Sequence, residues 1–97
     1  MSTIHIKFDG DRLVGEDLAK EIFNTQVMME DVETIVFPHE ILWVSISFSE
    51  TFHKLLKDKA NEWGIRTPEV SGSIKFLKKY NKMNNIPSNI YVADVDY

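Results

Sequence analysis

Apolar and polar residues alternate strictly along Thr3-Ile4-His5-Ile6-Lys7-Phe8. In an extended chain that puts Ile4, Ile6 and Phe8 on one side and predicts a half-buried strand over 3–8. Asp9-Gly10-Asp11 signals a turn, after which Arg12-Leu13-Val14 can return by hairpin as a short second strand. From Gly15 the period changes: Leu18, Ala19, Ile22, Phe23 and Val27 recur at helical spacing. Glu16 and Asp17 suit the positive end of a helix dipole, so a helix is predicted over 15–28. Thr34-Ile35-Val36-Phe37 is a β-branched run, predicted as a strand over 33–37 and stopped by Pro38.

A second apolar run, Ile41-Leu42-Trp43-Val44, leads through Ser45-Ile46-Ser47 to a helix predicted over 48–63. Phe48, Phe52, Leu55, Leu56 and Ala60 form its apolar stripe, and Gly64 is the expected left-handed terminator. Ser47 and Glu50 read S-x-x-E, a capping box in which Ser47 accepts from the Glu50 amide and Glu50 reaches back. Ile65 to Val70 is a short extended stretch interrupted by Pro68. After Ser71-Gly72-Ser73 a third helix is predicted over 73–84, with Ile74, Leu77, Tyr80 and Met83 inward, stopped by Asn84-Asn85-Ile86-Pro87. A last alternating run predicts a strand over 89–95. The order β(β)αβαβαβ specifies an α/β fold, one small single domain over 1–97 with a mixed or mostly parallel sheet covered by helices.

The strand Glu33 to Phe37, the segment Val44-Ser45-Ile46-Ser47-Phe48, the helix to Trp63, the extended Ile65 to Val70, the Ser71-Gly72-Ser73 turn and the helix Ile74 to Met83 occur in an order that resembles the STAS fold. That is the family of anti-sigma factor antagonists and their stand-alone STAS-like relatives. The resemblance covers residues 3 to 95 in element order and 44 to 56 in motif. It implies a regulatory domain that binds a protein, such as a kinase-type ATPase regulator, through the Pro38–Ser47 loop and the start of the following helix. In the phosphorylated antagonists an aspartate and a serine precede the regulatory serine. Here Ser45, Ile46 and Ser47 stand at those three positions, so Ser47 is the implied phosphoacceptor.

Composition narrows the classes. The chain is 43% hydrophobic and 27% charged, with a net charge of −4 and no cysteine. Disulfides, thiolate metal sites and cysteine nucleophiles are excluded. A protein relying on phosphate neutralisation would carry the opposite sign, so general nucleic-acid binding is disfavoured. No run reaches the length of a membrane span and the N-terminus lacks a basic-then-apolar signal, so a soluble, cytoplasmic protein is expected.

Candidate chemistry is sparse. Ser47, with Ser45 and Ser49, is a candidate phosphoacceptor or partner contact, against the plain alternative of a helix cap. Pro38, Trp43 and Glu50 mark the expected partner surface. Because Ile41-Leu42-Trp43-Val44 is wholly apolar, one of its side chains must face outward unless both faces are covered. Lys75, Lys78, Lys79 and Lys82 recur at i, i+3, i+4 and i+7 and form a basic face, either solvated or a dock for an acidic partner. His5, His39 and His53 have no ligand spacing, and His53 reads as solvent-facing. No nucleophile elbow, Gly-rich phosphate loop or catalytic constellation occurs, and neither a metal nor a cofactor is implied. The function expected is a non-enzymatic regulatory interaction domain. The alternative is a small acidic inhibitor, encoded by a phage or mobile element, that blocks a nucleic-acid enzyme.

Overall fold

The structure is a computed structural model and describes residues 2–27 and 32–86. Its elements are β1 (Ser2–His5), β2 (Arg12–Leu13), α1 (Glu16–Gln26), β3 (Val32–Val36), β4 (Trp43–Val44), α2 (Ile46–Trp63), β5 (Glu69–Ser71) and α3 (Ile74–Met83). The strand predicted over 89–95 and the methionines Met28 and Met29 lie outside the described residues.

Two parallel sheets result. The larger has the order β1-β3-β5, with Ile4 opposite Ile35 and Ile35 opposite Val70. Pairing continues past the strand ends, because Ile6 N–H donates to Val36 O and Phe37 N–H to Ser71 O, both at 2.8 Å. This order never reverses. With crossovers of the usual right hand, it places α1 and α2 on the same face, where they pack on each other. The other side of β1 carries the exposed Thr3 and His5.

The smaller sheet corrects the hairpin expectation. Arg12-Leu13 does not turn back on β1; it pairs in parallel with Trp43-Val44. Asp11 O accepts from Leu42 N–H at 2.8 Å and Leu13 O from Ser45 N–H at 2.8 Å. Each crossover therefore carries an extra two-residue strand. The two meet beyond the carboxyl ends of the main strands, with Leu13 and Val44 fully buried beneath them.

The helices fill a core that is largely aromatic. Phe37, at the end of β3, meets Phe48, Phe52 and Phe76 with ring centroids 5.0 to 6.2 Å apart. Phe52 also meets Phe23 of α1 edge-on, and Phe76 stacks on Tyr80. Phe48, Phe52, Leu56 and Ala60 are the buried stripe of α2, as their spacing requires, and Gly64 ends the helix in the left-handed region at φ 67°.

Three helix boundaries and phases differ from the sequence pattern. α1 spans 16–26 rather than 15–28. α2 begins at Ile46 rather than Phe48, because Ser45 and not Ser47 is its cap. In α3 the Ser73 cap fixes a phase that buries Phe76 and Tyr80, one turn apart, and half-buries Leu77 and Met83. Ile74, expected inward, is the first residue of that helix and projects from its end.

Candidate interaction site

The polar centre of the β2–β4 end is Ser45. Its extended backbone (φ −77°, ψ 160°) breaks from β4 into α2, and its Oγ accepts the Phe48 N–H at 3.0 Å. The same oxygen accepts the Gly15 N–H, thirty residues away, at 3.1 Å. Gly15 caps α1 at φ 93°, a conformation few other residues adopt, and has no side chain to serve the helix. One hydroxyl therefore ties together the starts of two helices. With two bonds accepted, its own proton is left for Ser47 Oγ, 3.2 Å away.

This overturns the Ser47–Glu50 capping box. With Ser45 as cap, the position that would close a box is Phe48, and α2 has no acid in its first turn. Ser47 and Glu50 are both exposed. Ser49 is excluded as an accessible hydroxyl: it is fully buried and its Oγ has no hydrogen-bond partner. Of the three serines, Ser47 alone presents its side chain outward.

Around this centre lies an apolar rim. Val14 (52% exposed), Leu42 (47%), Trp43 (40%), Ile46 (55%) and Ile74 (52%) are five of the six exposed large hydrophobics among the described residues. The hydrogen bonds place them together. Val14 follows Leu13, whose carbonyl holds Ser45; Ile46 follows Ser45; and Ile74 follows Ser73, whose hydroxyl donates to Ile41 O at 2.6 Å. The sixth, Ile65, lies beyond α2 at the other end of the strands. The conflict noted in the Ile41–Val44 run is thus resolved: Ile41 and Val44 are buried, and Leu42 and Trp43 face out. Pro38 is half-buried and opens the turn below them, accepting the Ile41 N–H at 3.1 Å.

The indole of Trp43 is flanked by cations. Lys79 Nζ lies 4.3 Å and Arg12 Cζ 5.9 Å from its ring centroid. The lysines of α3 are accordingly not one uniform solvated face. Lys75 and Lys82 are exposed, whereas Lys78 and Lys79 are half-buried. His53, read as solvent-facing, is half-buried against α3, with Nδ1 3.4 Å from the Tyr80 hydroxyl and the rings edge to face. Burial, and then the nearby Lys57, lower the pKa of His53, while burial alone raises that of Tyr80.

The rim is made chiefly of apolar side chains. In open parallel sheets ligands enter where the strand order reverses, and the described strands have no such reversal. The carboxyl ends are covered by β2 and β4, so this end is a surface with apolar side chains and few polar partners. Among the described residues no group of His, Asp or Glu is placed to hold a metal, and no helix is long and apolar enough to cross a membrane. The residues sequence reasoning missed are Val14, Ile46 and Arg12, and Ile74, which it placed inward. Val14, Ile46 and Arg12 look ordinary locally and join the rim through the β2–β4 pairing, and Ile74 joins it through the Ser73–Ile41 hydrogen bond. No family model matches the chain, and neither a curated protein nor a solved structure matches it.

Proposed function

We propose that the chain is a non-enzymatic regulatory domain that acts by binding another protein, and that the rim of Val14, Leu42, Trp43, Ile46 and Ile74 is its binding face. The observation that carries this reading is the segregation of exposed apolar side chains. Five of six lie on one rim, while the open side of β1 presents Thr3 and His5. Scattered surface hydrophobics are ordinary; a group that surrounds an exposed tryptophan is a recognition surface. The location agrees with the role implied by the likeness in element order to anti-sigma factor antagonists, whose partners dock at the start of the corresponding helix. A kinase-type ATPase regulator in the cytoplasm is the partner class that likeness suggests. Ser47 stands exposed beside Ser45 and Ile46 at the edge of this face. It is the hydroxyl through which a phosphate would alter binding, since an added dianion at an apolar contact must be desolvated.

Site-specific photocrosslinking in the native host tests the reading. A photoreactive amino acid at Leu42 or Ile46 is expected to capture a defined protein, whereas the same group at Arg66, near the opposite end of the strands, captures none. Equal capture from the three positions, or capture from Arg66 alone, would remove the rim as the binding face.

A further inference from the structure

We infer that the segment seated on this rim is an acidic amphipathic one: a stretch of partner protein in which Asp and Glu are interleaved with large apolar side chains. The inference rests on the rim being the binding face and adds the chemistry of what occupies it.

Three observations point the same way. First, the apolar members offer contacts only to apolar side chains. Leu42, Ile46, Val14 and Ile74 carry no polar atom beyond the backbone, and Trp43 has a single N–H donor. Second, two cations, Lys79 and Arg12, are held against Trp43. Third, α3 carries four lysines and no acid in a chain whose net charge is −4. Its exposed Lys75 and Lys82 stand one turn either side of Lys79. Positive charge is thus gathered on α3 and beside Trp43, against the overall sign of the protein.

Acids also stand near the rim, including the exposed Glu16 and Asp17 in the first turn of α1 beyond Val14, so the positive charge is local to α3 and the sides of Trp43. Asp11 pairs with Arg12 at 3.6 Å, but both side chains are exposed and such a pair holds the two groups together only weakly. Glu50 is one turn beyond Ile46, and Glu40 lies in the loop before Ile41. Neither belongs to α3 or to the flanks of Trp43. A carboxylate approaching Trp43 therefore meets Lys79 and Arg12 first, while its neighbouring apolar side chains reach Leu42 and Ile46. Cations resting on an indole keep their remaining N–H donors outward. Lys79 can accordingly hold the tryptophan and accept a carboxylate together. Complementary charge of this kind speeds encounter and selects against basic partners, and the apolar contacts retain the bound segment.

Selection of random peptides displayed on phage, with the full chain immobilised, tests the inference. Recovered peptides are then synthesised and titrated by calorimetry at low and high ionic strength. Enriched peptides are expected to combine Asp or Glu with Leu, Ile or Phe and to bind more weakly at high salt. Affinity should fall about tenfold or more for Trp43→Ala and for Lys79→Glu, as for a central anchor and its paired charge. Arg66→Glu should leave it unchanged. Leu42→Glu and Ile46→Glu, whose parent side chains are exposed, provide variants that keep the core intact, and circular dichroism melts confirm folding. Neutral or basic peptides that lose affinity in these variants would overturn the acidic occupant yet leave the rim as the binding face. Peptides that bind all variants equally, or the absence of any enriched peptide, would overturn both. A dimer of the chain alone, abolished by Trp43→Ala in sedimentation equilibrium, would assign the rim to a second copy and likewise overturn the inference.

Discussion

Replacing Ser45 by alanine should destabilise this domain far more than replacing Ser47, although the two serines are two residues apart and both precede Phe48. Ser45 Oγ is the acceptor for the Phe48 N–H at 3.0 Å and the Gly15 N–H at 3.1 Å. Loss of a serine cap costs about 1 kcal/mol. The Gly15 amide is part-buried and would lose its acceptor, which costs about 1–3 kcal/mol more, toward the lower end where water can enter. The sum for Ser45→Ala is about 2–4 kcal/mol, a large share of the ~5–15 kcal/mol that holds a typical domain together. Ser47 is exposed and caps nothing, so Ser47→Ala should stay within about 0.5 kcal/mol of wild type. Ser45→Gly separates the two parts. Glycine replaces a serine cap at a loss of only a few tenths, roughly, of a kcal/mol. The cost that remains in Ser45→Gly is therefore dominated by the Gly15 amide. Urea unfolding followed by tryptophan fluorescence and far-ultraviolet circular dichroism, with equal m-values required, measures all three. Equal losses for the two alanine variants, or a larger loss for Ser47→Ala, would refute the assignment of the cap and of the link between α1 and α2.

Other outcomes follow from the same geometry. Leu56 is fully buried on the α2 stripe, so Leu56→Ala should cost about 2–5 kcal/mol in the same unfolding assay. Ser47→Asp adds an acid to the first turn of α2, where none exists, and should hold or raise stability by about 0.3–1 kcal/mol at low salt, an effect that salt titration should remove. His53 has a pKa lowered from 6.5 by burial and by Lys57. Its unfolded form therefore takes up a proton at a pH where the folded form does not. Stability should fall as the pH drops below about 6.5 and level off once the folded imidazole is protonated. His53→Gln should flatten the part of the urea-midpoint profile below about pH 6.5 that belongs to this residue. An unchanged profile would show that His53 titrates alike in both states.

Features set by local periodicity were readable from the sequence. The β-branched run at 34–37, the Phe52–Leu56 stripe and the Gly64 stop each depend on neighbours within a few residues, and each stands where the pattern puts it; the alternation at 3–8 gives a strand that is shorter, Ser2–His5. Long-range partners account for the corrections. Ser45 and Ser47 are equivalent by residue type, and S-x-x-E favours the later one. The choice is made by the Gly15 amide, which only the folded crossover brings within 3.1 Å of Ser45. A two-residue strand has no periodicity from which to infer its mate, so the β2–β4 pairing was invisible and a hairpin looked equally good. Tyr80 faces inward as its spacing suggests and Leu77 packs at the core's edge, but Phe76 rather than Ile74 is buried with them, where it stacks on Phe37. The rim was half-legible. Four consecutive apolar residues at 41–44 announced an outward side chain, but Val14 and Ile46 join Trp43 only through the small sheet.

Hydrogen–deuterium exchange of the full chain, alone and with the protein captured by photocrosslinking, tests the central claim most directly. Binding should slow exchange in residues 11–14, 41–48 and 74–79, the segments that build the rim around Trp43, and leave residues 64–69 unchanged. Protection confined to 64–69, or none in the three rim segments, would contradict it.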